Sequence, residues 1–173
     1  MNSKEKKIFY ASLFLSGKPV SLSFFRKVME DPINLENRIT EYIKEFNDLN
    51  LGLKIRMVSE GYQLVTESGI YDELSKHFGE KGESLSKAAL ETLSAIAYRQ
   101  PITKNEIEAL RGVNSSGIIK NLLDKNLIKV VGRKDVPGKP LLYSTTKEFL
   151  EYFGLNSLSD LPTFREWQEL RKS

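Results

Sequence analysis

The sequence has no cysteine and only one histidine in 173 residues. The lack of cysteine excludes disulfides, thiolate metal sites and cysteine nucleophiles. The one histidine, His77, falls short of the three or four ligands of a zinc site, and no Gly-x-Ser-x-Gly pattern suggests a serine hydrolase. Its place in the last turn of a predicted helix favours a structural role, because cations are favoured at helix carboxyl ends. The sequence therefore predicts neither an enzyme nor a metal or cofactor site.

Long hydrophobic runs are also missing, since nowhere do 18 apolar residues follow one another. The apolar stretch 8–15 follows a basic start, as in a signal peptide, but it is short and no small-residue cleavage site comes after it. We therefore expect a cytoplasmic protein without a membrane segment.

The excess of positive charge is small. The chain has 26 basic and 23 acidic residues, a net charge of +3, and the whole surplus lies after residue 80. A dedicated duplex-DNA binder has a stronger excess on one face. Residues 132–139 are the nearest match to a phosphate loop, but five residues separate the glycines and Pro140 stands where a magnesium-binding Ser or Thr is required. Nucleotide binding is therefore not predicted.

Hydrophobic periodicity predicts the same order of elements twice: three helices, a hairpin and a further helix. The first hairpin has alternating runs at residues 53–57 and 62–66, and the second at 128–132 and 140–144. A third helix followed by a two-stranded hairpin is the winged-helix plan. We predict a mainly α fold with small β-hairpins (α+β), built from two tandem winged-helix domains.

The boundaries follow from polar and glycine-rich stretches. We predict a first winged-helix domain at residues 1–80, a linker at 81–84, a second winged-helix domain at 85–162 and a short helix or tail at 163–173. Helix N-caps and a capping-box pair are predicted at Ser21, Asn34, Ser86 and Thr103 with Glu106.

Charged and apolar side chains distinguish the predicted surfaces. The third helix of the first domain is mostly acidic and that of the second is nearly balanced, so neither is typical of a DNA-recognition helix. Basic residues gather in the second wing, where a solvated turn, an acidic protein partner and weak phosphate contact all remain open.

Two apolar features exceed what a small domain needs. The first helix is apolar on more than one side, which favours a self-association face over core packing alone. In the tail, Phe164 and Trp167 share one side of a predicted helix, which either folds back on its domain or docks on a partner.

The second half also carries several distinctive stretches. They are Lys87-Ala-Ala-Leu-Glu-Thr-Leu-Ser-Ala-Ile-Ala-Tyr98, Gln100-Pro-Ile-Thr103, Arg111-Gly-Val-Asn114, Val131-Gly-Arg-Lys-Asp-Val-Pro-Gly-Lys-Pro140 and Glu148-Phe-Leu-Glu-Tyr-Phe-Gly-Leu155. In these stretches, which cover most of residues 87–162, the sequence resembles the family of the bacterial segregation and condensation protein B. Members often have glycine where this chain has Ser144, which is a conservative departure.

The resemblance implies a non-enzymatic adaptor. It implies homodimerisation through the first domain and binding of the dimer to the central region of a kleisin, the segregation and condensation protein A. Through that kleisin it implies a place beside the Smc ATPase in chromosome condensation and segregation at the nucleoid, with DNA contacted only weakly or indirectly. The alternative is a winged-helix DNA-binding transcriptional regulator, which would need a basic third helix.

Three sets of residues receive predicted roles. For kleisin binding we predict the end of the second domain's first helix and its wing, namely Tyr98, Arg99, Gln100, Arg133, Lys134 and Asp135. For dimerisation we predict four residues of the first helix, Ile8, Phe9, Leu13 and Phe14. The wing turn is expected to depend on Gly132, Pro137 and Gly138.

Overall fold

The computed structural model of the chain describes residues 3–29, 33–78 and 84–163. The chain divides into two compact units, Met1–Lys81 with Gly154–Ser173, and Gly82–Phe153. Each unit packs helices against a small antiparallel sheet, which confirms the predicted mixture of helix and hairpin. Within the described ranges, no helix is long and apolar enough to cross a membrane.

The first unit begins with three helices and ends its main body with a hairpin and a fourth helix. Its elements are α1 (Ser3–Ser16), β1 (Val20–Ser21), α2 (Leu22–Val28), α3 (Leu35–Asp48), β2 (Leu53–Val58), β3 (Gly61–Thr66) and α4 (Ser68–Phe78). The three strands are antiparallel in the order β1-β3-β2. This order of elements is consistent with a winged helix.

The second unit repeats the order. Its elements are α5 (Lys87–Arg99), β4 (Ile102–Thr103), α6 (Lys104–Arg111), α7 (Ser116–Asp124), β5 (Ile128–Arg133), β6 (Leu141–Thr145) and α8 (Lys147–Phe153). The strand order is β4-β6-β5, the counterpart of the first sheet. Strands β1 and β4 were not predicted, because a two-residue strand is too short to show an alternating pattern.

Most of the predicted helix caps form. The hydroxyl of Ser21 accepts from the Phe24 amide at 3.3 Å, and that of Ser86 accepts from the Ala89 amide at 3.2 Å. The capping box predicted at the start of α6 is also present. Asn34 precedes α3 as predicted, but its φ is 54° and its side chain makes no cap bond, because a capping side chain reaches the first turn from an extended backbone.

The core of the first unit is aromatic. The ring of Phe9 in α1 lies 5.0 Å from that of Phe25, 6.0 Å from Tyr42 and 6.1 Å from Tyr62, measured between centroids. These tilted and edge-on pairs are the arrangements that aromatic rings favour. One side chain of α1 therefore joins α2, α3 and β3.

The core of the second unit is aliphatic. Its fully buried large side chains come from α5, α6, α7 and β5, namely Leu93, Ile96, Ile107, Leu122 and Ile128. Helical spacing places the first four of these residues inward, and Ile128 enters the same core from strand β5.

The end of the second unit differs from the predicted domain boundary at residue 162. From Gly154 onward the chain belongs to the first unit. The amide of Ser59 donates to the carbonyl of Leu155 at 2.9 Å, and the amide of Glu60 donates to Asn156 Oδ1 at 3.0 Å. Most of the predicted linker and the predicted tail helix with Phe164 and Trp167 lie outside the described residues.

Candidate protein-binding surfaces

The wing of the second unit, β5 and β6 with residues 134–140 between them, is fastened to α6 by an ion pair. Lys134 Nζ lies 2.6 Å from Glu106 Oε1, and the other carboxylate oxygen of Glu106 accepts from the amide and hydroxyl of Thr103 at 2.9 and 2.7 Å. These bonds, that of Lys134 first, lower the pKa of Glu106 from 4.5 to about 2. A residue predicted only to cap α6 therefore also positions the wing.

The wing loop contains a tight turn. The amide of Lys139 donates to the carbonyl of Val136 at 2.9 Å, with Pro137 and Gly138 between them. Gly138 has a φ of 83°, so the turn has proline and then a left-handed glycine, as type II turns prefer. Gly132 lies where the pairing of β5 and β6 shifts by one residue, a β-bulge. The three residues predicted to shape the wing thus occupy its turn and its bulge.

The exposed surface of the wing is both basic and apolar. Lys129, Arg133, Lys139 and Asp135 are exposed, together with three valines at positions 130, 131 and 136. Arg133 also steadies the loop, because its guanidinium donates to the carbonyl of Lys139 at 3.0 Å. Exposed apolar residues beside like charges are typical of a surface that another macromolecule covers.

At the end of α5, the three predicted kleisin-binding residues have different surroundings. Tyr98 is 54% exposed, and Arg99 is exposed as well. Gln100 is engaged inside the unit: its carboxamide oxygen accepts from the amide and hydroxyl of Thr145 at 2.7 and 3.0 Å and from the hydroxyl of Ser144. Gln100 therefore connects α5 to β6, while the side chains of Tyr98 and Arg99 are exposed at the surface.

The two parts of the predicted kleisin surface are separated along β6. Gln100 binds at Thr145, whereas Arg133 pairs with Leu141 at the other end of the strand. Four residues of strand span about 13 Å. A partner that contacts both parts must therefore span at least about 13 Å.

The predicted dimerisation face of α1 is only partly at the surface. Phe9 and Leu13 are 0% and 2% exposed and belong to the aromatic core, so the assignment of these two residues to a surface is wrong. Ile8 is half-buried, and Phe14 is 75% exposed. Leu15, which was not in the predicted set, is 81% exposed. The apolar surface of α1 therefore lies at its carboxyl end.

A buried ion pair between α1 and α3 was not predicted. Glu5 is 5% exposed, and its Oε1 accepts from Arg38 Nε at 3.1 Å and Nη2 at 2.9 Å. Arg38 also donates to the carbonyl of Ile33. Arg38 is thus engaged within the unit, and the exposed side of α3 is more acidic than its composition suggests.

Among residues 3–29, 33–78 and 84–163, no three His, Cys, Asp or Glu side chains gather as a metal site would require. The fold and its surfaces define a mixed helix-and-sheet protein of two similar units, with a basic apolar wing on the second and an apolar helix end on the first.

Comparison with known proteins identifies the family. Residues 7–164 match the family model of the segregation and condensation complex subunit ScpB. The chain is 45% identical over 168 residues to segregation and condensation protein B of Syntrophotalea carbinolica, with 96% of this chain and 85% of that protein covered. The corresponding protein of Acetivibrio thermocellus is 47% identical over 163 residues, 91% of this chain and 81% of that protein. The chain belongs to the ScpB family, whose members are named for segregation and condensation.

Solved structures are also similar in sequence. ScpB from Mycobacterium tuberculosis is 30% identical, and the match covers 87% of this chain and 95% of that one with a TM-score of 0.41. A conserved hypothetical protein from Chlorobium tepidum is 31% identical, with 88% and 96% covered and a TM-score of 0.40.

Proposed function

We propose that the chain is a non-enzymatic adaptor that binds the central region of a kleisin, the segregation and condensation protein A. It acts as a homodimer in the cytoplasm, at the nucleoid, and through the kleisin it joins the Smc ATPase in chromosome condensation and segregation. Membership of the ScpB family is the observation that carries this proposal. The repeated order of three helices and a hairpin supports two winged-helix domains as its framework.

In this proposal the first unit provides the dimer contact. The exposed Phe14 and Leu15, with the half-buried Ile8, form an apolar end of α1 that a monomer leaves in water. Exposed apolar clusters of this kind are commonly covered in an oligomer.

The second unit provides the kleisin contact. Its wing offers cations at Lys129, Arg133 and Lys139 beside exposed valines, and this surface suits a partner segment with acidic and apolar residues. Tyr98 at the end of α5 adds an exposed aromatic ring, a residue type that is enriched at protein interfaces. Asp135 lies within the same loop, and its negative charge would repel acidic groups of the partner that lie beside it.

The charges of the third helices do not favour the alternative function, a DNA-binding transcriptional regulator. On α3 the exposed charges are mainly acidic, Glu36, Glu41, Glu45 and Asp48. On α7 the exposed Lys120 and Asn121 are accompanied by Asp124. Neither helix offers the concentration of cations that phosphate contact requires.

Light-scattering chromatography of the chain, alone and with the central kleisin segment, tests the proposal. We expect a dimer that takes up the kleisin segment. Arg133→Glu should weaken kleisin binding on the order of tenfold by calorimetry, about 1.4 kcal/mol. Lys44→Glu, an exposed charge reversal on α3, is the matched control and should leave the affinity unchanged. A monomer that ignores the kleisin and binds duplex DNA would overturn the proposal in favour of the regulator.

Lys134 is a poor position for charge reversal, although it belongs to the predicted kleisin surface. A glutamate there would face the Glu106 carboxylate, which now lies 2.6 Å from the Lys134 ammonium. Lost binding could then result from a displaced wing. Lys134→Gln removes the charge without creating this repulsion, so it is the better companion to Arg133→Glu.

A further inference from the structure

The β2–β3 turn of the first unit has an unfavourable backbone conformation for its residues. Val58 pairs with Gly61, so the loop consists of Ser59 and Glu60 alone. Both have positive φ, 52° and 60°. Two-residue hairpin loops adopt this conformation because it suits the twist of the strands, but they prefer asparagine and glycine in it. Such strain persists only where the surrounding structure holds it in place.

The surrounding structure here is the segment that follows α8. The Ser59 amide donates to the Leu155 carbonyl at 2.9 Å, and the Glu60 amide donates to Asn156 Oδ1 at 3.0 Å. The second of these bonds joins residues 96 positions apart in the chain. Both amides of the strained turn are therefore satisfied by one short stretch, residues 155 and 156.

The same stretch lies at the end of the outer edge of β2, beside the turn. The amide of Glu67 donates to the carbonyl of Gly52, so Gly52 faces β3. Because residues of an antiparallel strand alternately face and turn away from the paired strand, the backbone N–H and C=O groups of Ile55 and Ser59 face away from β3. Asn47 binds both outward groups of Ile55, at 2.8 and 3.0 Å. Leu155 takes the outward amide of Ser59. The edge that could accept another strand is thus occupied at two places by the chain itself.

The segment is also ordered by its own contacts. Asp160 Oδ2 accepts from the amides of Asn156 and Ser157 at 2.8 and 3.1 Å, which fixes the direction of Asn156. Gly154 has a φ of 65°, and a Cβ built there would lie 2.6 Å from Arg56 Nη1. The Arg56 side chain of β2 therefore packs directly against the backbone of the segment.

We propose that residues 154–160 are an intramolecular clasp that docks on the Ser59–Glu60 turn, holds its left-handed conformation and closes the turn end of the outer edge of β2. The docking site accepts a segment that presents a backbone carbonyl and, on the next residue, a carboxamide oxygen. The first unit is then complete only when this late part of the chain is docked, and its wing is closed to an added strand.

Amide hydrogen exchange of the full chain, followed residue by residue by NMR, tests the clasp. In the unaltered chain the amides of Ser59 and Glu60 should be protected. Asn156→Ala should speed exchange at Glu60 at least tenfold, and Asp160→Ala should speed exchange at both amides. Asn37→Ala, an exposed substitution on α3, is the control and should change neither.

The Thr145 amide, which donates to Gln100 within the second unit, serves as the internal reference. It should exchange at the same rate in all four proteins, because the clasp belongs to the first unit. Absence of protection at Ser59 and Glu60 in the unaltered chain would overturn the proposal. So would unchanged exchange at Glu60 in Asn156→Ala, or faster exchange that affects Thr145 equally.

Discussion

The two units share an order of elements, but they use their polar side chains differently. In the first unit an ion pair of Glu5 with Arg38 is largely buried between helices, and the hairpin turn has two residues. In the second unit the charge pair of Glu106 with Lys134 is at the surface, and it steadies a longer loop that carries exposed cations and valines.

This difference suggests separate roles for the two units under the proposed function. In the first unit an aromatic core and a buried ion pair join the helices, and the end of α1 leaves Phe14 and Leu15 exposed. In the second unit the ion pair of Lys134 with Glu106 and the hydrogen bonds of Gln100 hold the hairpin in position. We therefore expect changes in the first unit to act mainly on stability and self-association, and changes in the second to act mainly on binding.

The largest expected effect is a loss of stability on removing a buried side chain of α1, compared with removing an exposed one. Phe9→Ala should destabilise the first unit by about 3–5 kcal/mol, because it removes a fully buried ring that lies against aromatic rings of α2, α3 and β3. Phe14→Ala, the matched control on the exposed side, should change the stability of the monomer by about 0.5 kcal/mol or less and weaken dimer formation. Denaturant unfolding and concentration-dependent light scattering measure the two effects. Equal loss of stability in both variants would remove the distinction between the two sides.

A second prediction concerns the buried ion pair. Glu5→Gln should cost about 2 kcal/mol in unfolding free energy, because it weakens two charge-assisted hydrogen bonds to a largely buried guanidinium. The double variant Glu5→Leu with Arg38→Met should cost less than the sum of its single substitutions, since no charge is left unpaired. Strict additivity would show that the two side chains do not stabilise α1 against α3 together.

A smaller effect, dependent on pH, is expected in the second unit. Glu106→Ala should destabilise it by about 1 kcal/mol at neutral pH, because it removes the capping-box partner of Thr103. The pKa of Glu106 is lowered in the folded state from 4.5 to about 2, so its contribution is complete above pH 4.5 and is lost as the pH falls from 4.5 towards 2. The difference between the two proteins should therefore shrink over that range in thermal unfolding.

The matched control for this titration is Glu41→Ala, which removes an exposed carboxylate from α3 of the first unit. Its effect should be small at every pH, since surface charges contribute little on their own. A difference between Glu106→Ala and the unaltered chain that stays constant from pH 6 to pH 2 would contradict the lowered pKa.

Local signals in the sequence predicted much of the fold. Ser21, Ser86 and the pair Thr103 and Glu106 act within three residues of themselves, so short patterns were sufficient to find the helix starts. The bond from Glu60 to Asn156 was not foreseeable, because it joins distant parts of the chain without any repeating pattern. The grouping of residues from Gly154 onward with the first unit differs from the predicted boundary for this reason.

The structure exposes most residues of the predicted kleisin surface, but it gives some of them a further contact within the second unit. The basic residues of the wing lie close together in the sequence, so they can be recognised there. The hydrogen bonds of Gln100 and the ion pair of Lys134 depend on tertiary packing and cannot. On α1, Phe9 and Phe14 are equally apolar, and only the position of α2, α3 and β3 decides which of them is core. The roles of Tyr98, Arg99, Arg133 and Asp135 in binding stay predictions.

We expect the second unit to bind the kleisin through its wing, and we expect the wing of the first unit to make no contact with the kleisin. Hydrogen–deuterium exchange of the full chain with and without the central kleisin segment tests this most directly. We predict that the segment slows exchange in residues 129–139 and around Tyr98 and leaves the amides of Ser59 and Glu60 unchanged. Protection gained only at the β2–β3 turn, with the second wing unaffected, would contradict the account.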